Sequence, residues 1–252
     1  MSFSNPRVKN PTVKFLEFKG ESGTFQYYDK ETEKNITLPL PIYFVVLDEL
    51  HTVKGYNKNY KAGIVSNEVR NIKEELLSVR VFKTDIKLVG TWEKIKGEVE
   101  RIQGHYSKSV YAGLIVKDKP MELVNFQFHG ASRSPWFDYK GDKEKFGVSV
   151  LETVEDSSGS VSFKRPVFKA VKLRDIDIKQ ATELDRQLQE YLKHYFSQKE
   201  EEIVNSSIED VQDVKYDDTK TDTETMYSDI DQRFEEKKNT KTTPDGADDL
   251  PF

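Results

Sequence analysis

The sequence contains no cysteine among its 252 residues. This absence excludes a disulfide framework and a zinc site built on thiolates. No run approaches the roughly 20 apolar residues that a membrane-spanning helix needs. The first residues, MSFSNPRVKNP, also lack the apolar centre of a secretory signal peptide. These absences predict a cytoplasmic protein that does not enter a membrane.

Sequence signatures of catalysis are missing as well. The chain has neither a glycine-rich phosphate loop nor the glycine fingerprint of dinucleotide-binding domains. Its serines lack a nucleophile-elbow motif. The four histidines, at positions 51, 105, 129 and 194, do not have the spacing of metal ligands. We therefore predict that the protein is not an enzyme and that it uses no metal or cofactor.

Charge is distributed unevenly along the chain. Residues 1–199 contain 33 lysines and arginines against 27 aspartates and glutamates, whereas residues 200–252 contain 6 against 17. A basic body attracts polyanions, and an acidic tail can compete for the same surface. Hydrophobic periodicity fades from about residue 200, so we predict a disordered acidic tail over residues 200–252. Residues 1–12 are predicted as an N-terminal arm, and residues 13–199 as one folded domain.

Most of the body shows the alternation of apolar and polar residues that is typical of strands. Apolar residues recur at helical spacing three times, from Val69 to Leu76, from Ile95 to Ile102 and from Ala181 to Tyr195. Between the strands we expect a polar loop over residues 51–63 and a short helix after Ser66. Many strands around one internal helix favour a mainly β fold. They favour in particular an OB-fold-like barrel, here followed by a C-terminal helix.

Cations alternate with aromatic residues at several places in the body. Proteins bind single-stranded nucleic acid with cations along its backbone and with rings that stack on its bases. Such a mixture, without a recognition helix rich in arginine and asparagine, favours single strands over duplexes. The candidate nucleic-acid-binding residues are Lys54, Tyr56, Lys58, Tyr60, Lys61, Arg80, Phe82, Lys83, Tyr106, Lys108, Lys164, Phe168 and Lys172.

The rings also have a packing alternative. Tyr56 and Tyr60 could pack their loop onto the barrel. Phe82 could be a core residue with Arg80 at an edge. The segment 164–174 could be a solvated edge strand, and Trp136 is expected in the core because large aromatic residues mostly pack.

The last residues read DGADDLPF. They resemble the acidic tip of bacterial single-stranded DNA-binding proteins, commonly Asp-Asp-(Asp)-Ile-Pro-Phe, with two aspartates and a leucine here. The resemblance implies that Phe252 enters an apolar pocket on a partner protein. Its α-carboxylate and the two aspartates would then meet basic residues around that pocket. The predicted partner-binding tip consists of Asp248, Asp249, Leu250, Pro251 and Phe252.

The body resembles the single-stranded DNA-binding proteins that some large tailed phages encode. The segments SGTFQYYDK, GIVSNEVRN, KSVYAGLI and ELVNFQFHG carry this resemblance, within residues 13–140. It implies an OB-fold that protects and organises single-stranded DNA in replication, recombination or repair. The tip would recruit replication or recombination proteins. Three alternatives are a strand-annealing or RNA-binding protein, a metal-dependent nuclease with scattered carboxylates, and a structural or adaptor protein whose tail only confers solubility. The oligomeric state stays open.

Overall fold

The alternating segments of the sequence form a large β-sheet, which we describe from a computed structural model. The structure describes residues 9–143 and 146–206. The helices are α1 (Trp92–Arg101), α2 (Arg133–Asp138), which follows a 3₁₀ turn at Gly130–Ser132, and α3 (Asp175–Ser206). The strands are β1 (Lys14–Lys19), β2 (Thr24–Asp29), β3 (Lys34–Leu38), β4 (Ile42–Asn57), β5 (Ala62–Ser66), β6 (Leu77–Val81), β7 (Lys87–Gly90), β8 (Gly104–Ile115), β9 (Glu122–Phe128), β10 (Gly147–Ser158) and β11 (Val161–Val171).

The long antiparallel pair β4 and β8 forms the centre of this mixed, eleven-stranded sheet. The order across the sheet is β3-β2-β1-β9-β8-β4-β5-β6-β7, with β1 and β9 parallel. Two strands share the other edge of β4: β10 pairs with residues 42–44 and β5 pairs with residues 54–57. The sheet therefore divides at β4 into a branch of β10 and β11 and a branch of β5, β6 and β7.

Each branch encloses an apolar core on the same side of β4 and β8, which we call the inner face. The first core contains the fully buried rings of Phe44, Phe126 and Trp136, so the packing role expected for Trp136 is confirmed. The second core joins Val53 of β4 to Val99 of α1. Burial of these side chains provides most of the driving force for the fold.

Helix α3 packs on the opposite side of the sheet, the outer face. Its Leu188 and Leu192 lie in one apolar cluster with Leu50 and Tyr111. The backbone N–H of Glu68 donates to the Tyr195 hydroxyl at 2.7 Å. The Glu68 carboxylate accepts a hydrogen bond from the Tyr111 hydroxyl at 2.7 Å, and burial raises the pKa of this carboxylate. Apolar packing and a buried polar network thus hold α3 against the sheet.

The mainly β class, the internal helix and the C-terminal helix agree with the sequence prediction. Two predicted boundaries and one predicted element were wrong. Strand β4 continues to Asn57, so most of the predicted polar loop is strand, because these residues pair with β8 up to Gly55. The segment after Ser66 forms a β-bridge and turns in place of a helix. Helix α3 continues to Ser206, past the predicted start of the tail.

The strand pairings show a mixed sheet and no closed barrel within the described ranges. The backbone N–H of Lys164 on β11 donates to the carbonyl of Gly20, in the turn after β1, at 2.7 Å. This bond joins two parts of the sheet around the first core, but no strand ladder extends it. None of the described helices is long and apolar enough to cross a membrane.

Candidate nucleic-acid interface

Two exposed aromatic rings, Tyr56 and Phe82, lie on the outer face of the β5–β6–β7 branch, on either side of Gly63. Tyr56 of β4 pairs with Gly63 of β5, and the N–H of Phe82 donates to the Gly63 carbonyl at 2.9 Å. The Phe82 ring covers Gly63, because a Cβ atom added there would lie 3.2 Å from Cδ2 of the ring. Tyr56 is 56% exposed and Phe82 is 43% exposed. The missing side chain of Gly63 thus leaves room for a ring between neighbouring strands.

Strand alternation points these rings outward. Val79, Val81 and Ile64 face inward and are buried in the second core. Successive side chains of a strand point to opposite faces, so Arg80 and Phe82 face outward. The packing alternative, with Phe82 in the core, does not hold for this ring.

A row of cations crosses the same face next to the rings. Lys54 pairs with Val65, Val65 pairs with Arg80, and Arg80 pairs with Lys87. The Arg80 guanidinium carbon lies 5.4 Å from the centroid of the Phe82 ring, within the range of a cation–π contact. In the part of the chain that the structure describes, no carboxylate forms an ion pair with Lys54, Arg80 or Lys87. We call Lys54, Tyr56, Arg80, Phe82 and Lys87 the Tyr56–Phe82 surface.

Turns at the end of these strands add further candidate residues. Lys58, Tyr60 and Lys61 form the turn between β4 and β5, and the Tyr60 ring is 53% exposed. The Lys58 N–H donates to the Gln103 side chain at 2.7 Å, which fixes the turn beside the end of α1. Lys83 follows Phe82 in an exposed turn with a positive φ of 62°. The structure therefore groups eight of the thirteen candidates at one end of this branch.

Tyr106 and Lys108 lie on the inner face of β8, on the other side of the sheet. The Lys108 side chain is only 10% exposed, and its Nζ lies 3.4 Å from the Glu49 carboxylate. The Tyr106 hydroxyl is 2.6 Å from Nδ1 of His51. These two residues therefore belong to a different environment from the Tyr56–Phe82 surface.

Phe168 was predicted to contact nucleic acid, and the structure places it in the first core. Its ring is 9% exposed and packs against the rings of Phe128 and Trp136. No face of this ring is available to a base, so the assignment is wrong. Lys164 lies on β11 and Lys172 lies just after it. Among the described strands β11 pairs only with β10, so neither lysine belongs to the Tyr56–Phe82 surface.

The sequence prediction missed two residues: His105, which lies beside this surface, and Lys87, which is part of it. His105 of β8 pairs with Lys54, and burial lowers the pKa of His105 to about 4, assisted by the charges of His129 and Arg133. Lys87 lies on β7, opposite Arg80. The alternation of Lys87, Leu88 and Val89 could have indicated Lys87. Only the pairing of β4 with β8 could have indicated His105.

The predicted tip, Asp248 to Phe252, lies outside the described residues, as does the rest of the tail from residue 207. Within residues 9–143 and 146–206, no three histidine, aspartate or glutamate side chains converge as ligands for a metal ion. Comparison with protein-family models, with curated proteins and with solved structures finds no match to this chain.

Proposed function

We propose that this protein binds single-stranded DNA with little sequence preference, through the Tyr56–Phe82 surface. The observation that carries the proposal is the pair of exposed rings on either side of Gly63. They lie beside Lys54, Arg80 and Lys87, which form no ion pair with a carboxylate among residues 9–143 and 146–206. Aromatic rings can stack on the face of any base, and cations can pair with the phosphates that link successive nucleotides. An extended strand of DNA could lie on this face across β4, β5 and β6, which are neighbours in the sheet.

The strand order adds support for an OB-fold-like body. A meander from β4 to β7 precedes α1, and β8 then returns to pair with β4. This is the order of strands around an internal helix that the sequence pattern indicates. In our proposal the body is an OB-fold variant, similar to the single-stranded DNA-binding proteins that some large tailed phages encode. It protects DNA in replication, recombination or repair, while the tip recruits partner proteins.

The direct test measures binding of a labelled oligo-dT to the full chain by fluorescence anisotropy. Replacing Tyr56 or Phe82 by alanine should weaken binding by about 1–3 kcal/mol per stacking ring. Tyr28→Ala is the matched control, because Tyr28 is 58% exposed but lies on β2, beside Asp29. Equal affinities for the wild type and the two ring variants would refute the assignment of this surface.

Three further arms of the same experiment separate the alternatives. Competition with RNA and with duplex DNA of the same sequence measures the preference for single-stranded DNA. An annealing assay with complementary strands tests a role in recombination. Incubation of the oligonucleotide with the protein and Mg²⁺ or Mn²⁺ tests the nuclease alternative. Cleavage that requires both the protein and the metal would show that the protein is a nuclease and would contradict our proposal.

A further inference from the structure

The exposed turn between β4 and β5 is tied to the end of α1 by a buried side chain. The turn, residues 58–61, contains Tyr60, whose ring is 53% exposed, and the exposed Lys61. Asn57, the last residue of β4, is only 3% exposed. Its side-chain nitrogen donates to the Ile102 carbonyl at 3.0 Å, and its side-chain oxygen accepts from the N–H of Tyr60 at 3.0 Å. One buried amide therefore joins the turn to the segment that follows α1.

Gln103 provides a second link between α1 and this turn. It follows Ile102, the C-cap of α1, and its N–H donates to the Glu100 carbonyl at 2.8 Å. Its φ of 68° is left-handed, a conformation in which glycine is favoured just after a helix because a Cβ atom is strained there. The glutamine side chain, however, accepts a hydrogen bond from the N–H of Lys58 at 2.7 Å. Glycine at this position would therefore suit the helix better and hold the turn less well.

A close backbone approach supports the two side-chain links. Gly55 of β4 pairs with Gly104 of β8, and a Cβ atom at Gly55 would collide with the Gln103 carbonyl. The missing side chain thus lets β4 contact the segment after α1 just before the turn begins. Because three contacts connect the turn to other elements, tertiary structure as well as the local sequence determines its conformation.

Lys61 is the second residue of this region in a left-handed conformation, with a φ of 49°. Glycine and asparagine are the residues favoured in that conformation, yet the turn has a lysine there. A strained backbone persists only where its surroundings determine it, and such residues occur often at functional sites. Lys61 lies two residues before Gly63, which the Phe82 ring covers. The strain therefore holds a cation at the end of β5, close in the chain to the exposed rings.

We infer that Asn57 and Gln103 are positioning residues, which hold the β4–β5 turn in the conformation that binds DNA. In this conformation the Tyr60 ring adds a stacking platform to the Tyr56–Phe82 surface, and Lys61 contacts a phosphate. The inference rests on the proposed function, because the turn extends the surface proposed there. A turn that is ordered before DNA arrives loses less conformational entropy on binding, so its contacts contribute more to the affinity.

Gln103→Gly in the full chain separates positioning from stability. Glycine relieves the left-handed backbone, so the melting temperature should not fall, whereas the N–H of Lys58 loses its acceptor. We expect oligo-dT affinity, measured by anisotropy, to fall by about 2- to 12-fold, the equivalent of one hydrogen bond. The Lys58 amide of the free protein should also exchange hydrogen faster. Asp118→Gly is the matched control, because Asp118 has a φ of 57° in the exposed turn between β8 and β9. It should relieve similar strain without weakening binding.

Two variants of the turn itself complete the test. Tyr60→Ala should weaken oligo-dT binding by about 5- to 150-fold, the effect of one stacked base, at an unchanged melting temperature. Lys61→Gly should raise the melting temperature and yet weaken binding, because it removes strain and a phosphate contact together.

The outcomes distinguish this inference from the proposed function. Wild-type affinity in Gln103→Gly or in Tyr60→Ala would overturn the inference. A lower melting temperature in Gln103→Gly would also overturn it, because Gln103 would then act on stability. In each case, weaker binding by Tyr56→Ala and Phe82→Ala would leave the proposed function intact. Absence of any oligonucleotide binding by the wild type would overturn both.

Discussion

A Cβ atom on Gly63 would lie 3.2 Å from the Phe82 ring, closer than ordinary van der Waals contact. Gly63→Val should therefore displace the ring from its place between the strands. We expect a loss of oligo-dT affinity of about 1–3 kcal/mol, as for loss of the ring itself. The melting temperature should not fall, because valine favours strands and the site is on the outer face.

The matched control for this variant is Gly97→Ala in α1. A Cβ atom at Gly97 meets no other atom within 4 Å. Alanine there should raise the free energy of unfolding by up to about 1 kcal/mol and leave the affinity unchanged. Wild-type affinity in Gly63→Val would show that the position of the Phe82 ring does not determine binding.

The cations of the Tyr56–Phe82 surface should determine how affinity depends on salt. The slope of log affinity against log salt concentration is about −0.7 for each phosphate neutralised on a single strand. Lys54→Ala and Arg80→Ala should each make the slope shallower by roughly that amount. Lys119→Ala, in the exposed turn between β8 and β9, is the control. A slope that neither interface variant changes would contradict the assigned phosphate contacts.

Local alternation was enough to predict part of the interface. The order Val79-Arg80-Val81-Phe82 places cation and ring on one face and the two valines on the other, as found. The same reasoning failed for Phe168, which alternates with lysines on β11 in a similar way. Alternation shows which residues share a face, but only tertiary packing shows that α2 and its Trp136 cover this one.

The neighbours of Tyr106 could not have been predicted from the sequence. Trp92, Tyr106 and Phe137 belong to three elements, and each segment alone resembles an ordinary amphipathic stretch. The sequence prediction selected Tyr106 and Lys108 because the segment Gly104–Tyr111 mixes rings with a cation. Their environment depends on tertiary packing, because Trp92 of α1 and Phe137 of α2 both lie next to Tyr106 on the inner face of β8.

Phe168→Ala should reveal a packing residue. Truncating a buried phenylalanine costs about 3–5 kcal/mol in free energy of unfolding, from lost burial and the cavity left behind. We therefore expect a large fall in melting temperature and unchanged oligo-dT affinity at temperatures where the variant is folded. Phe82→Ala should show the opposite pattern. Weaker binding by folded Phe168→Ala, with an unchanged melting temperature, would restore the original assignment of this ring.

His51 should make stability depend on pH. Its pKa falls from 6.5 to about 4 in the folded protein. The folded state therefore resists protonation, and stability that is present above pH 6.5 is lost as the pH falls through about 4. His51→Gln keeps a polar partner for Tyr106 but removes this titration, so its stability should decline less over that range. Denaturant unfolding at several pH values measures the slopes, and equal slopes would contradict the prediction.

The acidic tail should weaken DNA binding by competing for the cations of the Tyr56–Phe82 surface. Residues 200–252 carry 17 acidic and 6 basic side chains and are tethered to the body by α3. Tethering raises the effective concentration of the tail at its own surface. Deleting residues 207–252, which keeps α3 as described, should increase oligo-dT affinity, most clearly at low salt where charges are least screened. An unchanged affinity at low salt would show that the tail does not compete.

The tip should have a separate role, which Phe252→Ala tests. This variant keeps every acidic side chain of the tail, so oligo-dT affinity should stay at the wild-type value. Recruitment of replication or recombination proteins should be lost, because an aromatic anchor supplies most of the burial in such a contact while the aspartates supply steering. Tyr227→Ala, in the same tail, is the control. Pull-down with wild type, Phe252→Ala and Tyr227→Ala decides the point, since equal recovery of partners by all three would mean that DDLPF contributes charge alone.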